Sequence, residues 1–376
     1  MNNNPFKYGA IVSGLYFTDR EKEIKELITD FINGQHIIIS SPRRYGKSSL
    51  VLKAMENAKS KGALGIYVDL FRASSKKRFA EIFSTAIARG TQSKISQVGR
   101  TLKEIIPNII PKVVLKGEGE MEFDIEFGNR ETDIDSLLDN MFDAPQKIAL
   151  RKKKRVIVIF DEFQEIANFN GQQLQKVLRA KIQHHQQVTY CFLGSKRQLI
   201  SELFLKQKSP FYRFGKMIEL NKIPRSEMVK FIEKNFRKTQ MVLKKDLIEE
   251  ILDITDNHPY FIQMFCYELW NNCFRKGKVE ISDLSYSLSR LLDNQSYAYV
   301  NIWESLSPKQ KNLVMALSQG SYTHLQSQET VTRFELGTPA TVNKNLKALE
   351  AHQILERTNR EYRFADPFLG KWLLKK

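Results

Sequence analysis

Short apolar runs alternate with amphipathic stretches between residues 17 and 220. The runs that read as strands cover residues 37–39, 65–70, 156–160, 188–195 and 217–220. Apolar residues recur at helical spacing in the stretches between them, which predicts helices at 17–33, 48–60, 76–90 and 133–150. Strands that alternate with helices predict a parallel sheet with crossover connections.

Residues 107–130 interrupt this alternation. The segments 112–116 and 121–127 have alternating faces and flank a glycine-containing turn. This pattern predicts a β-hairpin. We expect the hairpin to be an insertion on the edge of the sheet.

The pattern changes after residue 223 and predicts helices at 226–238, 245–256, 259–275 and 281–305. This is typical of a small all-α lid. Ser307-Pro308 and Thr338-Pro339 then each start a further helix, with a hydroxyl at the N-cap and proline at the first helical position. A hairpin over 354–364 follows. Helix, helix and hairpin is the layout of a winged helix. We therefore expect three domains, at 1–222, 223–305 and 306–376.

A strand followed by a phosphate-binding loop organises the first domain. The residues after the strand are Ser40-Ser41-Pro42-Arg43-Arg44-Tyr45-Gly46-Lys47-Ser48-Ser49. This is close to the pattern G-x-x-x-x-G-K-[ST], in which backbone N–H groups cradle phosphates. Lys47 can reach the β- and γ-phosphates, and the Ser48 hydroxyl can ligate Mg²⁺. Ser41 stands where the pattern has its first glycine. The alternative is an ordinary strand-to-helix turn with a solvated lysine.

A second chemical motif ends the apolar strand 156–160, where Asp161-Glu162 follow it directly. This is the Walker B form. Since ligands bind at the carboxyl ends of parallel strands, Asp161 is predicted to hold Mg²⁺ and Glu162 to orient the attacking water. A lone Asp-Glu pair could instead cap a helix. Two such motifs in the right order favour ATP and Mg²⁺ as cofactors.

Two further residues are candidates for catalysis. Ser195 ends the strand 188–195, where it could sense the γ-phosphate or cap the next helix. Arg213 precedes the strand 217–220, so we expect it near the ligand edge of the sheet. It could stabilise transition-state charge, in its own chain or on a neighbouring subunit of a homo-oligomer. A surface salt bridge is the alternative for Arg213.

The composition fits a protein with packed cores, since 42% of the residues are hydrophobic and 27% are charged. The net charge is +17, which favours nucleic acid, anionic surfaces or phosphorylated ligands. Solubility is the alternative, because the basic residues are spread along the chain. The basic run at 151–155 has the same two interpretations: a nucleic-acid patch or, as we prefer, a helix C-terminus before a buried strand.

Other classes of protein are not favoured. The three cysteines form no C-x-x-C pair, so neither a disulfide framework nor a zinc site is expected. The first residues lack the pattern of a secretory signal, and no apolar run is long enough to cross a bilayer. We expect a cytoplasmic protein without membrane contact.

The chain resembles the archaeal-type P-loop ATPases, a family in the AAA+-like, STAND-related branch. The resemblance covers most of the chain and lies in segments that occur in the family's order: FTDREKEI, SPRRYGKSSL, VIVIFDEFQEI, FLGSKRQLI, FYRFGKMIEL and NHPYFIQ. It implies an α/β fold: a parallel-sheet, AAA+-like P-loop core, then a helical lid, then a C-terminal winged helix.

The resemblance also implies contacts to the nucleotide from outside the core. Residues 8–12 are candidates for adenine contact. His258 and Pro259 belong to a turn that closes over the nucleotide, with Asn257 where the family has glycine. His258 could contact the base or ribose, or only start the following helix. No clear lid arginine is evident, so slow turnover is expected.

The winged helix is expected to bind DNA or a protein partner. Val342, Leu346 and Leu349 would face its core, which leaves polar residues on the second helix, at 341, 343–345 and 347. We therefore expect an ATPase that acts as a molecular switch. The alternative is a non-enzymatic, nucleotide-stabilised DNA-binding regulator or adaptor.

Overall fold

The structure is a computed structural model, and the chain in it forms two compact units. It describes residues 3–12, 14–17, 20–91, 109–115, 121–127, 134–169, 172–320, 325–358 and 361–375. One unit is Arg20–Asn221, and the other combines Met1–Asp19 with Lys222–Lys376. The division into three domains at 222 and 305 remains a prediction.

The first unit alternates strands and helices as the apolar pattern predicts. Its elements are α1 (Glu21–Asn33), β1 (Ile37–Ser40), α2 (Lys47–Ser60), β2 (Leu64–Asp69), α3 (Lys76–Thr91), β3 (Ile109–Leu115), β4 (Met121–Phe127), α4 (Ile134–Lys152), β5 (Val156–Asp161), α5 (Gln172–Ile182), β6 (Val188–Gly194), α6 (Arg197–Phe204) and β7 (Lys216–Glu219). Short 3-10 helices at Leu70–Arg72 and Phe163–Asn168 follow β2 and β5.

Five of these strands form one sheet, in the order β2-β5-β6-β1-β7. Every neighbouring pair is parallel, which confirms the predicted sheet. All residues of β1, β5 and β6 are buried, because helices cover both faces of the sheet. The carboxyl ends of the five strands therefore meet at one edge, where β1 leads into the P-loop and β5 ends at Asp161.

The first helix starts later than predicted. It begins at Glu21, because Arg20 adopts the left-handed conformation with φ 62°. The Arg20 side chain is buried, and its Nη2 donates a hydrogen bond to the carbonyl of Asn221 at 2.6 Å. Arg20 thus links the beginning of this unit to its end. Thr18 and Asp19, which were predicted to open this helix, lie outside the described residues.

The predicted hairpin is confirmed, but its position is not. β3 and β4 pair antiparallel from Ile109 with Phe127 to Leu115 with Met121. They form a separate two-stranded sheet that does not extend the parallel sheet, and the location of the hairpin at the edge of that sheet remains a prediction. The rest of the predicted insertion, at 107–108, 116–120 and 128–130, lies outside the described residues.

Helices dominate the second unit. Its first helices are α7 (Arg225–Lys238), α8 (Lys245–Ile254), α9 (Pro259–Cys273) and α10 (Ile281–Ser305), in close agreement with the predicted ranges. The N-terminal segment packs on them. Phe6 is buried with its ring 5.0 Å from that of Phe236, and Gln263 donates a hydrogen bond to the Tyr16 carbonyl at 2.9 Å.

The C-terminal part has the helices and hairpin expected of a winged helix. Its elements are α11 (Pro308–Ser318), α12 (Gln328–Arg333), α13 (Pro339–Ala351), β8 (Leu355–Thr358), β9 (Glu361–Phe364) and α14 (Pro367–Lys375). Ser307 and Thr338 cap α11 and α13 as predicted. Phe364 of β9 and Phe368 of α14 are buried in the same cluster, so the last helix packs on the hairpin. The hairpin residues Asn359 and Arg360 lie outside the described residues.

No helix in the described part of the chain is long and apolar enough to span a membrane.

Candidate functional site

The loop between β1 and α2 has the backbone of a phosphate-binding loop. Arg44 and Gly46 adopt positive φ angles of 65° and 87°, which turn the chain sharply before Lys47 starts α2. A Cβ atom on Gly46 would meet no other atom within 4 Å, so glycine is needed there for its conformation. This loop and the amino end of α2 can together receive an anion.

Ser41 fits the position where the motif usually has glycine. It is not among the described residues with positive φ, so a side chain causes no strain there. Its N–H donates a hydrogen bond to the Gly194 carbonyl at 3.2 Å, and its hydroxyl donates one to the Pro42 carbonyl at 3.1 Å. The loop is thereby anchored to the end of β6.

The other loop residues differ in exposure. Tyr45 and Ser49 are buried. Arg43 and Arg44 are exposed, and the Arg43 guanidinium lies 6.0 Å from the centre of the Phe71 ring.

The two predicted motifs meet at the carboxyl edge of the sheet. The Ser48 hydroxyl donates a hydrogen bond to Asp161 Oδ2 at 2.6 Å. The Lys47 ammonium lies 2.7 Å from Glu162 Oε1 and 3.9 Å from Asp161 Oδ1. The four residues predicted from sequence to handle phosphate, metal and water are therefore in direct contact.

Ser195 joins this network through Glu162. Its hydroxyl donates to Glu162 Oε2 at 2.6 Å, and its N–H donates to the same oxygen at 3.3 Å. Ser195 therefore faces the site, and the N-cap of α6 is Lys196. Gln164 Nε2 donates to Glu162 Oε2 at 2.5 Å. Glu162 itself has φ 50°, a left-handed conformation that is uncommon for a non-glycine residue.

The charge of Glu162 is stabilised by these contacts. Burial raises the pKa of its carboxyl, but the Lys47 ammonium and the hydrogen bonds from Ser195 and Gln164 lower it more, so the pKa lies below its usual range. Glu162 is therefore ionised at neutral pH, as a group that accepts a proton from water must be.

Sequence reasoning missed Tyr67. Its hydroxyl donates a hydrogen bond to Asp161 Oδ2 at 2.7 Å, on the same oxygen that Ser48 contacts. Burial, followed by the nearby Asp161 charge, raises the pKa of Tyr67 strongly, so it remains a donor. Its position two residues before the end of β2 was the only signal in the sequence.

Gln164 and Asp69 were missed as well. Asp69 ends β2 in register with Asp161, and burial raises the pKa of its carboxyl. Gln164 can reach Glu162 because Gly194 has no side chain: a Cβ there would lie 2.6 Å from Gln164 Oε1. The signal for Gln164 was its place two residues after Glu162.

The predicted position of Arg213 is wrong. Lys216, three residues later, begins β7 and pairs with Ile37 at the start of β1. Arg213 thus lies at the amino ends of the strands, whereas Lys47 and Glu162 lie at the carboxyl ends. It is exposed, and its guanidinium lies 5.2 Å from the centre of the Tyr212 ring. An action of Arg213 on a neighbouring subunit remains a prediction.

His258, Pro259 and residues 8–12 belong to the other unit. His258 is the N-cap of α9, and its Nδ1 accepts a hydrogen bond from the Tyr260 N–H at 3.3 Å. His258 therefore starts helix α9, which is one of its two predicted roles. Tyr8 lies with its ring 5.4 Å from that of Tyr267. Nucleotide contact by these residues remains a prediction.

The donor set at the carboxyl edge fits Mg²⁺ and a nucleotide phosphate. Mg²⁺ prefers oxygen ligands, which the Ser48 hydroxyl and the Asp161 carboxylate supply from adjacent positions. Lys47 and the loop N–H groups are donors suited to phosphate oxygens.

Two known protein families match parts of the chain. A family described as an ATPase domain predominantly from Archaea matches residues 17–265, and a "Probable winged helix domain" matches residues 297–375. Comparison with curated proteins finds no match.

Solved structures share the fold at low sequence identity. A Walker-type ATPase of Pyrococcus abyssi is 17% identical with a TM-score of 0.66, and 96% of each chain is covered. The ORC2 protein of Aeropyrum pernix, solved as ADPNP-ADP complexes, is 15% identical with a TM-score of 0.60, and 98% of each chain is covered. The ORC1 protein of Aeropyrum pernix, solved with DNA, is 12% identical with a TM-score of 0.50, covering 96% of this chain and 93% of that one.

These neighbours share the fold of a parallel-sheet α/β core followed by helical regions, and the family match adds a C-terminal winged helix. Because the ATPase family matches more than half of its length, the chain belongs to the family of ATPase domains found predominantly in Archaea.

Proposed function

We propose that this protein binds ATP with Mg²⁺, hydrolyses it to ADP and phosphate, and acts as a nucleotide-controlled switch. The observation that supports this most is the connected network at the carboxyl edge of the sheet. Lys47, Ser48, Asp161, Glu162 and Ser195 come from three different strand ends. They are joined by three contacts of 2.6 to 2.7 Å and by the 3.9 Å contact of Lys47 with Asp161.

Each residue of the network has a proposed role. Lys47 neutralises the β- and γ-phosphate oxygens, with the N–H groups of residues 43–49 around them. Ser48 and Asp161 hold Mg²⁺, which when bound neutralises charge on the phosphates. Glu162 orients the attacking water and accepts its proton, and Ser195 orients Glu162.

The switch would involve the second unit. His258 and Pro259 are proposed to contact the nucleotide from the lid, and residues 8–12 to contact adenine. The winged helix is proposed to bind DNA or a protein: Lys344 and Lys347 are exposed on α13, while Val342, Leu346 and Leu349 are buried as predicted. A homo-oligomer would bring Arg213 to a neighbour's site.

One observation favours a second candidate, a nucleotide-stabilised regulator that rarely hydrolyses ATP. Glu162 is engaged by Lys47, Ser195 and Gln164 at once, so at least its contact with Lys47 must rearrange before Glu162 can act on water. A base held in this way is expected to turn over slowly.

ATP turnover by the purified protein, with and without duplex DNA at two salt concentrations, tests the proposal. Stimulation by DNA that weakens with salt would support an ATPase coupled to DNA. Turnover that is indifferent to DNA would point the winged helix towards a protein partner. Bound ATP or ADP without turnover would favour the regulator, and absence of both binding and turnover would overturn the proposal.

A further inference from the structure

We propose that the first unit, Arg20–Asn221, binds the phosphate backbone of duplex nucleic acid. The binding surface is the edge of its sheet opposite the candidate site. The surface is built by two loops, residues 61–63 before β2 and residues 153–155 before β5. These strands are neighbours, with Leu64 paired to Val156, and the Leu64 N–H donates a hydrogen bond to the Arg155 carbonyl at 2.8 Å. The two loops therefore lie side by side at the amino ends of the strands.

Both loops and the helices that lead into them carry exposed basic side chains. We call this set the amino-edge patch, and it consists of Lys59, Lys61, Lys147, Arg151, Lys153 and Lys154. Lys147 and Arg151 are four residues apart on α4 and so share a face of that helix. Lys59 packs its stem over β2, since a Cβ on Gly65 would lie 3.3 Å from Lys59 Cδ.

The five lysines of the patch have no acidic partner among the residues that the structure describes. Among the described residues, no carboxylate lies within 4.0 Å of the ammonium groups of Lys59, Lys61, Lys147, Lys153 and Lys154. Elsewhere, Lys216 contacts both Glu26 and Asp30, and Lys181 contacts both Asp139 and Asp143. The positive charges of the five patch lysines are therefore not neutralised by a described carboxylate within that distance.

Lys152 lies between Arg151 and Lys153 in the chain and is also surrounded by positive charge. Its ammonium donates a hydrogen bond to the Thr91 carbonyl instead of to a carboxylate. Burial, followed by the charges of Lys154 and Arg151, lowers the pKa of Lys152. Like charges held together at this density repel one another, and a polyanion relieves that repulsion.

The chemistry of the patch favours a phosphate backbone over a membrane or a base-specific site. Five of its six members are lysines, which act as point charges towards phosphate, whereas bidentate base readout uses arginine. Leu150 is 56% exposed nearby, but the two loops contain no aromatic or long aliphatic side chain to insert into a bilayer. Binding is therefore expected to be independent of base sequence and strongly dependent on salt.

The patch is separate from the site at the carboxyl edge. β2 carries Lys61 before its first residue and Tyr67 near its last, and β5 runs from Val156 to Asp161 in the same direction. Nucleic acid on the patch can thus bind without displacing a ligand from Lys47. The inference does not depend on ATP hydrolysis.

Fluorescence anisotropy of a labelled DNA duplex of about 30 base pairs, titrated with the full chain at several salt concentrations, tests the proposal. The test variant is Lys59→Gln/Lys61→Gln/Lys153→Gln/Lys154→Gln. The matched control removes four exposed lysines of the same unit that have no ion pair with a described residue either, as Lys22→Gln/Lys25→Gln/Lys77→Gln/Lys208→Gln. Both variants lose the same charge, and thermal unfolding checks that both are folded.

The test variant is expected to bind duplex at least about tenfold more weakly than the control at about 0.1 M salt, with a slope of log K against log salt that is less steep by about 3. Equal losses in the two variants would overturn the proposal, because net charge alone would explain them. Loss of binding to vesicles of anionic lipid, with duplex binding intact, would assign the patch to membranes and also overturn it.

Two further measurements ask whether binding is specific to DNA and how much of it is due to the winged helix. An RNA duplex distinguishes DNA from nucleic acid in general, since phosphate contact predicts the same loss for both. The variant Lys344→Gln/Lys347→Gln tests the winged helix. Duplex binding that disappears in this variant and is unchanged in the test variant would contradict a role for the amino-edge patch.

Discussion

The Lys47 ammonium lies 2.7 Å from Glu162 Oε1, although the two residues are separated by 115 positions in the chain. The contact joins the residue proposed to hold phosphate to the residue proposed to activate water. Each neutralises the other, so a phosphate that attracts Lys47 would also release Glu162. Substitution of Lys47 is therefore expected to change nucleotide binding, whereas substitution of Glu162 is expected to change turnover.

Lys47→Ala is expected to weaken nucleotide binding by at least about tenfold, because a charge-assisted hydrogen bond to phosphate contributes about 1.5 to 3 kcal/mol. Titration calorimetry with ATP and ADP measures the change. Lys53→Ala, on the exposed side of the same helix, is the control and should bind normally. Unchanged affinity in Lys47→Ala would show that the loop is not the phosphate site.

Glu162→Gln is expected to keep nucleotide affinity and to lower turnover by at least about a hundredfold, because the amide cannot accept a proton from water. Release of phosphate under saturating ATP measures turnover, and calorimetry measures affinity. Glu165→Gln, an alteration of the same kind in the 3-10 helix that follows, is the control. Normal hydrolysis by Glu162→Gln would remove Glu162 from the proposed chemistry.

Tyr67→Phe is expected to raise the Mg²⁺ concentration needed for tight nucleotide binding by about tenfold, because hydrogen bonds to a metal ligand orient it. Titration of ATP affinity against Mg²⁺ measures this, and binding in the presence of a chelator should be unaffected. Tyr190→Phe is the control, since its buried hydroxyl contacts His185 at 2.7 Å. The same Mg²⁺ requirement in Tyr67→Phe and wild type would exclude this positioning role.

His36 is expected to make the first unit, Arg20–Asn221, less stable in acid. Burial, and then the positive charge of Arg179, lowers the pKa of His36 to about 4. Its Nδ1 accepts a hydrogen bond from the Tyr190 N–H at 3.2 Å, which requires the neutral ring. Below its unfolded pKa of about 6.5, the unfolded chain binds the proton more readily than the folded one, so stability falls as pH falls towards 4.

The His36 contribution to the loss between pH 7 and 4.5 is on the order of 2 kcal/mol. Urea unfolding of wild type and His36→Gln across this range measures it, and the variant should show the smaller pH dependence. An identical pH dependence in both proteins would mean that His36 does not titrate as its surroundings indicate.

The sequence by itself determined the local elements and the two chemical motifs. Alternating apolar and amphipathic segments predict strands and helices because burial on a sheet or on one helix face requires that periodicity. The bounds of β5, α7, α9 and α10 were accordingly predicted within one or two residues. Gly46-Lys47-Ser48 predicted phosphate binding and Asp161-Glu162 predicted metal and water binding, because backbone curvature and charge at those points depend on residue type.

Only the tertiary structure decided which side chains meet. The strand order β2-β5-β6-β1-β7 brings Tyr67 to Asp161 and Ser195 to Glu162, and it places Arg213 at the opposite edge. It also sets the Lys61 loop beside the Lys154 loop, which creates the amino-edge patch. Crossover connections allow many strand orders with the same periodicity, so contacts between distant segments follow from how the strands pair, which the local pattern does not encode.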